Sequence, residues 1–218
     1  MSKKIAVILA GCGFKDGSEI HESVLTLLHL VREGAMPLCF APNEKQATVT
    51  NHVTGDAEGA SRNILVESAR ITRGNIRDIK ELKAVDADAL ILPGGYGAAL
   101  NLCDFAVKGP NCTVNSQVQR VIQEFYQAKK PIGAICIAPA IVGKVLGSYG
   151  IELTIGSDRG TAQALEKMGA KHVNTTVENF HWDSKNKIAS TAAYMLAQNI
   201  VEAESGISRL IKKVVDEA

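Results

Sequence analysis

KPIGAICIAP, residues 130–139, sets a charged turn before a run of small apolar residues and then a single cysteine with apolar neighbours on both sides. Past Pro139 the apolar residues Ile141, Val142, Val145 and Leu146 recur at helical spacing. The pattern reads as buried strand, sharp turn and helix, with Cys136 at the bend. A residue at such an elbow stands clear of the sheet, and the unpaired backbone N–H groups that follow point at whatever lies beside its side chain. A thiol there has a reason to ionise. Free cysteine has a pKa of about 8.5, and a helix N-terminus lowers it to roughly 3.5 to 7.5. The competing reading is a buried cysteine serving as a small hydrophobe.

The rest of the chain repeats this alternation. Residues 3–10 form a continuous apolar run after two lysines, the signature of a strand buried on both faces of a parallel sheet. Gly11-Cys12-Gly13 breaks it, and Asp16 with Glu19 predicts a capping box ahead of a helix bearing Ile20, Val24, Leu27, Leu28 and Val31, which ends near Gly34. Residues 36–41 complete a β-α-β unit. Residues 44–59 read as a hairpin-like excursion, and Ser61 as the cap of a helix carrying Ile64, Leu65 and Ala69. Residues 87–92 form the next buried strand, closed by Pro93-Gly94-Gly95-Tyr96-Gly97, where glycines let backbone N–H groups approach a ligand. That turn lacks the spacing of a dinucleotide fingerprint and the lysine of a P-loop. A helix through Val118, Val121, Ile122 and Phe125 leads into the elbow. Beyond it come a strand at 151–155, a helix at 161–168, an edge strand at 172–173 and a return strand at 187–191. The last segment reads as helix, stopped and restarted at Ser205-Gly206. The fold class is therefore α/β with a mostly parallel sheet, and one domain is expected over residues 1–218. In such sheets ligands bind at the C-terminal edge of the strands, which brings residues 11–19, residues 93–97 and Cys136 together.

Composition narrows the partners. Twenty-four basic residues stand against 23 acidic ones, so there is no electrostatic footprint for nucleic acid or an anionic membrane. No apolar run approaches the roughly 18 residues of a membrane span, and the N-terminus does not read as a signal peptide. Five cysteines without CxxC spacing suggest neither a disulfide framework nor a zinc ribbon. The expected compartment is a reducing cytoplasm and the expected partner a small molecule. The five histidines show no metal spacing.

Taken as a set, AVILAGCGFKDGSEIHE, NHVTGD, SRNILVESARITRGNI, ALILPGGYGAALNL, GAICIAPA and AAYMLAQNI span essentially the whole chain. The set resembles the PfpI-type branch of the class I glutamine amidotransferase-like superfamily, which also contains a protein deglycase and, within the branch, glyoxalases. The resemblance implies a doubly wound, flavodoxin-like, mostly parallel sheet with helices on both faces, and a homodimer. It also implies that Cys136 is the elbow nucleophile, that Glu19 is the carboxylic acid hydrogen-bonded to it, and that the N–H groups of Gly95 and Ile137 form an oxyanion hole. Two departures matter. Amidotransferases of the superfamily carry a histidine far downstream and PfpI-type proteases one directly after the cysteine; here the second position is Ile137, and the C-terminal stretch Ser190-Thr191-Ala192-Ala193-Tyr194 has no histidine either. Chemistry that must protonate a leaving amine lacks its base.

A small dicarbonyl has no amine to expel. The expected reaction is therefore addition of Cys136 to glyoxal or methylglyoxal, proton movement between the two carbons by Glu19, and hydrolysis to glycolate or lactate, with no cofactor and no metal. Glu22 is the alternative acid, one helical step away. From the residues alone, Glu19 reads equally as a first-turn capping carboxylate. Tyr96 and Asn101 are expected to line the pocket, and His21 to approach it from the first helix unless it is solvated. Cys12 is a candidate resolving thiol, which would make the protein a redox or carbonyl sensor instead. An amidotransferase-like subunit tied to isoprenoid biosynthesis is the third reading, although aspartate-rich prenyl-diphosphate motifs are absent.

Overall fold

Alternating side chains along the buried strands set the architecture. Strand β1 (Lys4–Ile8) sends Ile5 and Val7 to one side and Ala6 and Ile8 to the other, and all four are fully buried. A strand apolar on both sides must be covered on both sides. The structure is a computed structural model describing residues 2–218. Among these residues, β1 pairs in parallel with β2 (Met36–Ala41) and β4 (Ala89–Leu92), β2 with β3 (Arg77–Asp78), and β4 with β5 (Ile132–Ile135). Strand β5 then pairs in parallel with β9 (Ile188–Thr191), which pairs antiparallel with β8 (Phe180–Asp183). The seven-stranded order is β3-β2-β1-β4-β5-β9-β8. A small second sheet joins β6 (Glu152–Leu153) to β7 (Lys171–His172).

Helices α1 (Ile20–Arg32), α2 (Ile64–Ile71) and α8 (Ile200–Glu217) cover one face, where Leu25, Leu30, Ile64, Ile207, Leu210 and Ile211 pack on Ile5, Val7, Ile91 and Ile135. The other face is covered by α3 (Tyr96–Asn101), α5 (Ser116–Gln127), α6 (Pro139–Leu146) and α7 (Arg159–Lys167), with short α4 (Phe105–Lys108) between α3 and α5. Each fully buried Leu, Ile, Val or Phe contributes about 1.5 to 3 kcal/mol, so two apolar layers on one sheet make it the rigid frame of the molecule. The doubly wound, flavodoxin-like fold expected from the sequence is the one observed.

Four local readings need correction. Asp16 does not cap α1: its carboxylate accepts from Thr50 N–H at 2.7 Å and ties the 44–63 excursion to the first loop, while Glu19 is the cap, accepting from Glu22 N–H at 2.7 Å. Asn63, not Ser61, caps α2. Helix α8 runs unbroken through Gly206, because that glycine serves close approach rather than termination: a Cβ there would collide with Thr191 Oγ1 and Val177 O. The fourth concerns phase. Ile20, Val24, Leu28 and Val31 of α1 are exposed, whereas Glu22, Ser23, Leu25, Thr26, His29 and Leu30 face inward.

Candidate active site

Cys136 sits at the end of β5 with φ +60°, a conformation L-residues with a Cβ rarely adopt. Such strain is retained where surrounding structure fixes it. Here the Cys136 N–H donates to Thr191 O of β9 at 2.9 Å, and Ala138 N–H closes the turn on Ile135 O at 3.0 Å. The side chain is thereby lifted off the sheet edge towards the turn after β4. That turn passes so close that a Cβ on Gly94 would lie 2.5 Å from Cys136 Cβ and 2.7 Å from Glu22 Oε2. Only glycine leaves room for both groups.

The first loop crosses over the same turn. Glu19 N–H donates to Gly94 O at 2.9 Å, Tyr96 N–H to Phe14 O at 2.8 Å and Gly97 N–H to Gly17 O at 2.9 Å. Gly17 and Gly97 meet backbone to backbone, with no space for a Cβ on either. This crossing sets the start of α1, and so places Glu22, three residues after the cap, directly beneath the elbow.

The carboxylate at the thiol is therefore Glu22 and not Glu19. Glu22 is fully buried; its Oε2 accepts from Gly94 N–H at 2.9 Å, its Oε1 from Tyr194 N–H at 3.3 Å, and its side chain is hydrogen-bonded to Cys136. Burial, reinforced by the Glu19 charge, pushes its carboxyl up to about 8 against the pull of those donors. Glu19 stands on the cleft wall with one oxygen occupied as the helix cap. The thiol is shifted too, and in the direction opposite to the lowering an elbow alone suggests: burial first, and then the Glu22 charge, hold Cys136 well above its ordinary value. The N–H groups of Gly95 and Ile137 hydrogen-bond the sulfur and oppose this. The physical reason is enclosure. Cys136 is only 7 % exposed, and α6 begins at Pro139, which has no N–H to offer. Thiol and carboxyl titrate as a pair.

Above the sulfur opens a cleft of about 360 Å³ bordered by Phe14, Glu19, Gly95, Tyr96 and Ile137 from the expected segments. It is completed by Phe105, Thr161, Tyr194 and Met195, which sequence reasoning did not find. The signal for Tyr194 lay in the stretch after β9, AAYMLAQNI, which the sequence reading used for the resemblance and noted for its missing histidine without assigning the tyrosine a role. Asn101 is not part of the cleft: it clamps the scaffold, donating to Ala10 O at 2.8 Å and Asp16 O at 2.9 Å and accepting from Ala47 N–H at 2.8 Å. Cys12 is likewise outside the lining; it lies among Glu67, Arg70, Asp16 and Arg62, and burial raises its thiol. All five cysteines are unpaired. Among the described residues no group of three His, Cys, Asp or Glu side chains could hold a metal ion, and no helix is long and apolar enough to cross a membrane.

Comparison with known proteins bears on the family and the fold. No family model matches the chain. It is 46 % identical over 223 aligned residues to the human glutamine amidotransferase-like class 1 domain-containing protein 3, mitochondrial, covering 98 % of this chain and 82 % of that one. The chain belongs to the glutamine amidotransferase-like class 1 family. A second family relative, the mitochondrial ES1 protein of Danio rerio, is 37 % identical, with 88 % of this chain and 76 % of that one aligned. Among solved structures, an isoprenoid biosynthesis protein with an amidotransferase-like domain from Ehrlichia chaffeensis superposes with a TM-score of 0.92 at 40 % identity, covering 99 % of this chain and all of that one. Schizosaccharomyces pombe DJ-1 shares the fold, with a TM-score of 0.56 at 20 % identity over 95 % of this chain and 89 % of that one. At that identity the likeness shows a shared fold. The cytoplasmic expectation is corrected by the same finding: the curated relatives are mitochondrial proteins, and unpaired cysteines do not distinguish one reducing compartment from another.

Proposed function

We propose that this family member is a cofactor-free glyoxalase converting glyoxal to glycolate, and methylglyoxal to lactate, through a thiohemiacetal on Cys136. The observation that carries the reading is the enclosed Cys136–Glu22 pair at the floor of a cleft sized for a small substrate. In the mechanism, Glu22 accepts the thiol proton as sulfur bonds to one aldehyde carbon, and the N–H groups of Gly95 and Ile137 hold the resulting oxyanion. Donors of this type contribute about 2.7 to 4 kcal/mol each. The C–H bond of that carbon then breaks, Glu19 on the wall moves the proton to the second carbon through an enediol, and a thioester results. Water hydrolyses it, releasing the hydroxy acid and restoring the thiol. No electrons leave the system. The acid/base work that the resemblance implies for Glu19, with Glu22 as the alternative, is divided between Glu22 at sulfur and Glu19 at carbon. The same addition to early glycation adducts would give protein deglycase activity.

Two features argue against the competing readings. None of the described residues bordering the cleft is a histidine, so a leaving amine would find no imidazole acid, and none is a lysine or arginine that would suit a prenyl diphosphate. The partner beyond substrate is a second copy of the chain. An α1 with a largely polar buried face and Ile20, Val24, Leu28 and Val31 exposed inverts the usual amphipathic order, and a stripe of this kind is self-complementary about a two-fold axis.

The test is consumption of glyoxal and methylglyoxal by the wild type beside Cys136→Ala, Glu22→Gln and Glu19→Gln, with product identified by NMR. Hydroxy acid from the wild type, absent with Cys136→Ala and strongly reduced with Glu22→Gln, supports the mechanism. Unchanged consumption with Cys136→Ala removes the nucleophile.

A further inference from the structure

Glu22 is sealed under the elbow and Glu19 spends one oxygen on the helix cap, yet the isomerisation also needs a proton at the second carbonyl oxygen. A group serving that oxygen must border the cleft and exchange protons with water. Tyr194 borders the cleft, and its hydroxyl lies 2.7 Å from Nδ1 of His21, which is exposed on the first turn of α1. The rings meet at a centroid distance of 5.8 Å. The backbone N–H of the same tyrosine donates to Glu22 Oε1, so its position is fixed by the catalytic carboxylate. Ala193, immediately before it, has φ +41°, a strained conformation that turns the chain at the end of β9.

We propose that Tyr194 is the acid that protonates the second carbonyl oxygen of the dicarbonyl, and that His21 is the positioning residue that connects it to bulk water. This rests on the glyoxalase reading. As the C–H pair moves to form the carbon–carbon double bond of the enediol, the pair of the second C=O takes the Tyr194 proton. His21 donates its Nδ1 proton to the phenolate oxygen while Nε2 takes one from water, leaving the imidazole neutral in its other tautomer. Collapse of the enediol to the thioester returns a proton to solvent. The imidazole that this chain lacks beside the nucleophile is supplied from α1, one hydroxyl removed. The charged groups facing the tyrosine are Glu19 and Glu22, which with burial keep the phenol protonated.

The experiment compares wild type, Tyr194→Phe and His21→Ala in glyoxal turnover, with glycolate read by NMR and alkylation of Cys136 by iodoacetamide measured in parallel. General acid–base groups contribute about 100-fold or more, so Tyr194→Phe should lower kcat by about 100-fold at unchanged KM while slowing alkylation far less. His21→Ala should lose turnover that added imidazole restores, a rescue that a purely structural histidine would not show. Wild-type kcat in Tyr194→Phe, or failure of imidazole to rescue His21→Ala, overturns the inference while leaving the glyoxalase reading in place. A wild type that alkylates at Cys136 but makes no glycolate removes both, and is recognised because the defect is then in the parent.

Discussion

Replacing Glu22 by glutamine should make the protein more stable in alkali and less reactive, and the size of the effect follows from burial. The carboxyl is raised from an ordinary 4.5 to about 8 in the folded state. Between these values the folded protein holds a proton that the unfolded chain has released, so stability is full below the unfolded value and falls as pH rises to the folded one. At about 1.36 kcal/mol per unit, the whole shift costs roughly 5 kcal/mol above pH 8, of which about 3 is already lost at pH 7. Glutamine carries no such penalty, but its single oxygen can serve Gly94 N–H or Tyr194 N–H and not both. One unsatisfied buried donor costs about 1 to 3 kcal/mol. The variant should therefore match or fall below the wild type at pH 5 and exceed it at pH 8, with the difference moving by roughly 3 to 4 kcal/mol across that range. Urea unfolding midpoints of both proteins at pH 5, 6, 7 and 8 measure this directly. Parallel pH curves for the two proteins would refute the reasoning, since they would mean that the carboxyl ionises as freely in the fold as outside it. Iodoacetamide alkylation of wild-type Cys136 should accelerate as pH passes through about 8, where Glu22 becomes a base, and lose that step in the variant.

Cys136→Gly should be more stable than Cys136→Ala by about 1 kcal/mol, because glycine relieves the φ of +60° that alanine retains; denaturant titration of the pair checks it. Gly94→Ala should cost at least about 1 to 3 kcal/mol and disturb the thiol, since its Cβ would press on both Cys136 and Glu22; unfolding midpoint and alkylation rate should change together. Gly206→Ala should destabilise despite alanine's helix preference of about 1 kcal/mol, because the added carbon meets Thr191 and Val177 across β9. For the proposed dimer, Val24→Asp on the outward stripe of α1 should shift sedimentation from dimer to monomer at little cost to the fold of the chain, and a wild type that sediments as a monomer refutes that dimer.

The strands were legible because a run such as IAVI admits one environment: apolar on both faces, it must lie inside a covered sheet. The elbow was legible for the same reason, with a helical period resuming directly after a cysteine that no polar neighbour explains. The acid was not, and α1 shows why. Periodicity locates a helix's apolar stripe but does not say what covers it. Glu19 came from the family resemblance, with Glu22 as the alternative; because Ile20, Val24, Leu28 and Val31 point outward, it is Glu22 that turns to the elbow. The opposite face buries Glu22, Ser23, Thr26 and His29; Glu22 reaches Gly94 and Tyr194, and His29 Nε2 lies 2.8 Å from Glu204 of α8. Tyr194 escaped for a related reason. Its place is set by the Glu22 bond and by the turn at Ala193, both products of tertiary closure that leave no local pattern.

Between the loops that carry Glu19 and Tyr96, the crossing of Gly17 over Gly97 lays main chain on main chain. Point mutation cannot re-tailor such a crossing: any side chain added there separates the two loops before it alters what the site accepts. Drift in substrate range must therefore come from the walls, at Phe14, Phe105, Thr161 and Met195, where a changed side chain leaves the elbow untouched. An inhibitor anchored on the N–H groups of Gly95 and Ile137 would meet the same surface in every variant that folds, while one gripping the aromatic walls could be escaped by a single substitution.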